Sequence, residues 1–244
     1  MVLLRSIAKG NGFLPDLFAM DWQDFWERDT SKAYVDMATR TTLLNLQSGL
    51  PYHNAASASK ELAGAGRVAP LFLLKWKNPA HLVAAAGEQA AITHGDPIAV
   101  ESSEFFAALA ISVADGLRIA EALERTVGQG TWGEQLAGYY ESGKRTAESD
   151  VDPKVAVKKH GQACNVENAF PVVCDLLLRY PDDPVQGLCM NAQIGGDSAA
   201  RALVLGLVYG AMPDLPELPA KWYDELLAIE EIEGLIDKIM KDGA

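Results

Sequence analysis

The chain has 244 residues, 49% of them hydrophobic, and carries 33 acidic against 21 basic side chains, a net charge of -12. That size and apolar content suit one domain with a sizeable core, while the acidic balance makes nucleic acid and anionic membrane poor partners. The three cysteines, Cys164, Cys174 and Cys189, form neither a CxxC nor an even framework, so reduced thiols in a cytoplasmic protein are expected.

Helical spacing recurs along the chain and strand signals are scarce. Met1, Val2, Leu3, Leu4 and Ile7 read as the middle of a buried helix with no capping residue ahead of them. Two explanations stand for this beginning: a natural start whose first turn frays, or missing upstream sequence. Arg5 and Lys9 follow the apolar stretch rather than precede it, so no signal peptide is expected. Pro15 and Asp16 open a helix with Phe18, Trp22, Phe25 and Trp26 on one face. Asp36 to Gln47 reads as another helix, closed by Gly49. A helix is predicted from Pro79 to Thr93, broken by the His94-Gly95-Asp96-Pro97 turn. Phe105, Leu109 and Ser112 continue the pattern to Gly116, and Leu117 to Val127 forms a further helix.

Glu141 to Pro153 is polar and reads as an exposed loop. Helices are predicted over Val166 to Arg179 and Asp183 to Gln193. The longest apolar run, Ala202 to Met212, is too short to span a bilayer. Ile232, Leu235, Ile236, Ile239 and Met240 form a helical stripe that should pack on the core.

The segment richest in chemistry is Gly195-Gly196-Asp197-Ser198-Ala199-Ala200-Arg201. Two glycines permit a tight loop, and Asp197 can cap the helix that follows. Gly206 and Gly210 lie one turn apart, which would let another helix approach closely. A capped, tightly packed helix explains these residues more simply than a binding site does.

Here the chain resembles the ADP-ribosylglycohydrolase family, whose GGDTDT loop opens a helix with spaced glycines. A Leu-Pro-x-x-Trp element follows in the family, matched here by Leu218, Pro219 and Trp222. Asp36-Met37-Ala38-Thr39-Arg40-Thr41-Thr42-Leu43 is similar to the family's D-G-A-T-R-x-T-L helix. Gly64 to Leu71 is similar to its G-x-x-R-V-A-P-L segment, and Thr93-His94 with Pro97 to its T-H-x-x-P turn. The resemblance covers nearly the whole chain. It implies an all-α, orthogonal multi-helix single domain over residues 1–244. It further implies hydrolysis of the glycosidic bond between ADP-ribose and an acceptor side chain, with two magnesium ions. Their ligands would come from an N-terminal T-D-D-T motif and from the second Asp and Thr of the loop. An ADP-ribose-like ligand would meet Gly64, Gly66, Arg67, His94, Gly195, Gly196 and Ser198.

The chain departs from that pattern at the metal. Asp197 keeps the first acid of the loop as a remnant ligand, but Ala199 and Ala200 stand where Asp and Thr belong. T-D-D-T is absent too. Magnesium requires hard oxygen donors, so no cofactor is expected unless sequence outside this chain completes the site. Glu61, in the stretch Ser59 to Gly64 that replaces the family's phosphate loop, would oppose an anion; a buried Arg67 at a helix start explains the stretch equally well.

Gly161 to Cys164 with Phe170-Pro171, and the small residues after the loop, resemble the subgroup of J1-type crystallins and their selenoprotein relatives. The favoured reading is a family member impaired in two-metal catalysis that still binds ADP-ribose or a related nucleotide. The alternatives are an active hydrolase using Asp197, Asp36 and His94, and a crystallin-like structural protein. Three weaker constellations remain. His160 and Cys164, four apart, have the spacing of a nucleophilic pair. Glu101 and Glu104 have the pairing of glycosidase carboxylates, although helix-dipole stabilisation explains them better. His53 and His81 have no metal-ligand spacing.

Overall fold

The computed structural model describes residues 1–28 and 34–242, and among these it contains helices and no strand. The helices in chain order are α1 (Val2–Gly10), α2 (Pro15–Arg28), α3 (Met37–Gln47), α4 (Tyr52–Ala55), α5 (Pro79–Ala91), α6 (Pro97–Ala114) and α7 (Ile119–Gly128). There follow α8 (Glu134–Ala147), α9 (Pro153–His160), α10 (Val166–Arg179), α11 (Pro184–Ile194), α12 (Ser198–Gly210), α13 (Ala220–Asp224) and α14 (Ile229–Asp242). Two 3-10 turns, Leu62–Arg67 and Ala69–Leu73, cross between α4 and α5.

Local chemistry sets most of the starts. Proline stands at the first positions of α5, α6, α9 and α11, where its missing N–H costs nothing. Asn78, Asp96, Asp152 and Asp183 ahead of them each accept a backbone N–H of the first turn.

The centre of the molecule is α6 and α10. Phe105 and Phe106 of α6 meet Phe170 of α10 with ring centroids 5.0 and 4.9 Å apart, tilted rather than stacked, as aromatic quadrupoles prefer. All three rings are fully buried, and each contributes about 1.5–3 kcal/mol by leaving water. Pro171 sits inside α10 without ending it, because packing on both sides holds the helix through the missing hydrogen bond. By length and apolarity α6 would suffice to cross a membrane. In this fold it is the core helix, two-thirds buried inside the protein.

Several expectations change. The predicted loop from Glu141 belongs largely to α8, which continues to Ala147. Its polar outer face hides one stripe, Leu136, Tyr140, Gly143 and Thr146, that packs on α10. The glycines that permit close approach are also different ones. Gly206 and Gly210 are exposed, with open space where a β-carbon would go. At Gly143 a β-carbon would lie 2.4 Å from the Pro171 carbonyl oxygen, so α8 and α10 meet backbone to backbone there. The terminal stripe packs as expected on α1 and the second 3-10 turn through Ile232, Leu235 and Ile239, but Met240 remains exposed. Arg5 of α1 and Glu231 of α14 add a bidentate ion pair on the surface.

These glycines give opposite expectations. Gly143→Val should destabilise the protein by more than about 2 kcal/mol through overpacking against main chain. Gly206→Ala should stabilise it by about 0.5–1 kcal/mol through helix propensity. Urea midpoints of the two variants check both signs.

Candidate functional site

Five segments converge on one side of the core. They are the start of α3, the Ser57–Leu62 stretch with the 3-10 turn after it, the Thr93-His94 turn, residues Gln162–Asn165, and the loop before α12. Short backbone links join them. Leu62 N–H donates to Cys164 O at 2.9 Å, and Val166 N–H to Lys60 O at 2.8 Å. Gly95 N–H donates to Ser57 O at 2.7 Å, and Asp197 N–H to Gln162 O at 3.2 Å.

The glycine loop has the tight geometry its composition suggested. Gly195 and Gly196 have φ of 75° and 68°, in the left-handed region that favours glycine. A β-carbon on Gly196 would also stand 2.4 Å from Gln162 O. Asp197 then caps α12, its Oδ1 accepting the Ala200 N–H at 3.5 Å, a long bond. Ala199 is exposed on the first turn and Ala200 is buried, so neither position presents a donor atom. Beneath the loop lies Arg201, fully buried, donating through Nε to Asn191 Oδ1 at 2.8 Å and through Nη2 to Gly195 O at 2.6 Å. Asn191 in turn donates to Ser198 O at 2.8 Å. The loop is thus braced from below by a buried charged side chain. Nothing in local spacing links Asn191 to Arg201.

Asp36 caps α3, accepting the Thr39 N–H at 2.6 Å. Its charge reaches both Arg67 and His94, favouring their charged forms. Arg67 turns inward as a structural cation. Nε donates to Gln89 Oε1 at 3.0 Å, and Nη2 to Gln89 O at 3.0 Å and Thr93 Oγ1 at 2.7 Å. The guanidinium also stands 5.6 Å from the Phe18 ring centroid. Burial lowers its pKa to about 10, leaving it charged at neutral pH. Gly64 and Gly66 face neighbours rather than open space: β-carbons there would meet Ala90 at 3.3 Å and Leu203 at 3.0 Å.

His94 is the polar centre. Nδ1 and Thr93 Oγ1 are 2.8 Å apart, while Nε2 is buried without a hydrogen-bond partner among the described residues. Glu61 Oε2 stands 3.8 Å from that nitrogen, too far for a direct hydrogen bond. Burial lowers the His94 pKa, and Glu61 partly opposes it. The other Glu61 oxygen accepts from the Cys164 thiol at 3.1 Å. Burial and that bond push the thiol up to about 11, so it is held as a donor rather than as a nucleophile. His160 is not its partner. Gly161, with φ 89°, ends α9 between the two residues, and His160 Nε2 instead meets Thr146 Oγ1 at 3.1 Å. Glu101 and Glu104 lie on α6 away from these loops.

A cleft of about 440 Å3 opens beside Glu61. Thr41 and Ser59 offer hydroxyls to it, Asn165 an amide and Lys60 an ammonium, while the Ser57 hydroxyl is taken up by the Thr93 carbonyl at 2.7 Å. Among the described residues, no three His, Cys, Asp or Glu side chains come together in a way that would hold a metal ion.

The sequence model of the ADP-ribosylglycohydrolases matches residues 1–244. The chain belongs to the ADP-ribosylglycohydrolase family. A solved structure described as an "ADP-ribosylglycohydrolase-related protein complex" superposes with a TM-score of 0.77 at 23% identity, over 100% of this chain and 79% of that one. At that identity it shows the fold shared by this family member, all-α and single-domain as the resemblance implied. No curated protein matches the chain.

The His94 environment makes stability depend on pH. The unfolded histidine takes up its proton near pH 6.5, whereas the folded one resists it, so stability falls as pH drops below about 6.5. Glu61, held below its ordinary 4.5 by His94, adds a second loss below that value. Each group contributes a slope of up to about 1.4 kcal/mol per pH unit within its window. His94→Gln should flatten the upper window and also shrink the lower loss, because His94 is the main group holding Glu61 down, as read from chemical denaturation between pH 3 and 8.

Proposed function

We propose that this protein binds ADP-ribose or a related nucleotide sugar in the cleft beside Glu61 without the two-magnesium hydrolysis of its family. The reading is carried by a mismatch between loop and donors. Gly195 and Gly196 keep a braced, tight turn ahead of α12, yet methyl groups stand three and four residues after Gly196, exposed at Ala199 and buried at Ala200. A methyl group offers no lone pair to a cation, and a divalent pair needs several carboxylate oxygens. Asp36 and Asp197, the acids an altered hydrolase would recruit, are both engaged as helix caps. The residues present do not fit a magnesium pair.

For binding, the chemistry is more favourable. Lys60 supplies a cation for a pyrophosphate, and the hydroxyls of Thr41 and Ser59 suit a ribose. Gly195, Gly196 and Ser198 lie at the start of α12, whose dipole favours an anion. Glu61 is the opposing charge, and its engagement with Cys164 draws one oxygen away from the ligand. A cytoplasmic setting, where nucleotide sugars and reduced thiols coexist, accords with this role.

Calorimetry with ADP-ribose tests the reading. Binding should appear between micromolar and millimolar ligand, unchanged by magnesium or by a chelator. Lys60→Ala should weaken it about three- to tenfold, the loss of one partly screened charge contact. No heat at millimolar ADP-ribose would overturn the binding claim. Magnesium-dependent release of ADP-ribose from an ADP-ribosylated arginine substrate would overturn the catalytic one.

A further inference from the structure

A second groove, of about 570 Å3, runs along α5 and α6 and is closed at one side by the segment after α7. Its floor is aliphatic, with Val83 and Ala84 from α5 and Ala108 and Ile111 from α6. Trp132 forms a rigid wall. Its Nε1 donates to Thr126 O at 2.6 Å, and its ring meets Phe105 edge-on with centroids 5.3 Å apart.

The polar groups of the groove are unbalanced. Glu101, Glu104 and Asp115 face Arg125, which is exposed. Glu101 accepts the Gly133 N–H. Glu104 folds over Gly87, where a β-carbon would come within 2.3 Å of its Oε1. Among the described residues, no lysine, arginine or histidine stands within ion-pair distance of either glutamate or of Asp115. Burial and the charge of Glu101 raise the Glu104 pKa. A half-buried carboxylate beside a like charge is costly, and an incoming cation relieves that cost.

We propose that this groove binds a linear aliphatic polyamine. One terminal ammonium sits against Glu101 and Glu104 and the other reaches Asp115, while the methylenes lie on the aliphatic floor and any inner ammonium keeps its water on the open side of the groove. The spacing favours a long chain. Glu104 and Asp115 are eleven residues apart on α6 and its cap, about 16 Å at 1.5 Å per residue, comparable with extended spermine. A short monoamine satisfies one end only, and an anion meets three carboxylates for one guanidinium. Trp132 adds a π-face beside the bound cation.

The protein as a whole is acidic, so the test has to separate this groove from general counterion attraction. Calorimetry at low salt should show one spermine site, with butylamine at least tenfold weaker. Glu104→Gln and Asp115→Asn should each weaken spermine about tenfold. Ala84→Phe, at an exposed position, fills the groove without changing charge and should abolish the site. Glu230→Gln, on the exposed face of α14, should change nothing. Thermal melts confirm that each variant is folded. Equal affinity across all variants, or a stoichiometry that follows total acidic charge, would overturn the proposal. ADP-ribose binding is indifferent to these substitutions, so failure here leaves the reading of the other cleft standing.

Discussion

A partly buried guanidinium whose inner donors are all taken up fixes its neighbours, and the way Arg67 uses Nε and Nη2 organises this side of the molecule. Its fork takes both oxygens of Gln89 and the hydroxyl of Thr93. The Thr93 carbonyl meanwhile accepts from Ser57 Oγ at 2.7 Å, Ser57 N at 3.2 Å and Thr42 Oγ1 at 3.3 Å. One turn of chain therefore couples α3, the Ser57 stretch, the 3-10 turn and the end of α5. Removing any one partner would strand a buried polar atom, so these elements keep their relative places together.

The cleft follows from that arrangement. Its rim is made by the same segments whose inner sides satisfy Thr93, and its charge is set by which side chains the bracing has used. Arg67 and Arg201 face inward, and Asp36 and Asp197 are spent as caps. Lys60 and the hydroxyls of Thr41 and Ser59 are left toward the cleft. A site assembled in this way favours recognition of a polar ligand over polarisation of a bond, because its strongest charges are committed to holding the scaffold.

Much of the fold was legible because local chemistry punctuates it. Proline and aspartate mark the start of α11, and α10 emerged at its full length from apolar periodicity despite Pro171. What escaped depends on partners distant in sequence. The length of α8 was hidden because its buried stripe is thin and its last turn carries Lys144 and Arg145. Gly143 matters, and Gly206 does not, because of where α10 lies, which spacing within α8 or α12 cannot encode. The site was legible in outline through the glycine loop and the Thr93-His94 turn. The meeting of Glu61, His94 and Cys164 was not, since three separate segments bring those residues together.

The Cys164–Glu61 bond has a practical bearing on covalent chemistry. A thiol with a pKa of about 11 exists as thiolate in roughly one molecule in ten thousand at neutral pH. Cys174 is wholly enclosed, and burial pushes it up as well. The partly exposed Cys189 is therefore the position at which alkylating dyes and mild oxidants act first. A single reporter group can be installed there on the native polypeptide with no cysteine replaced.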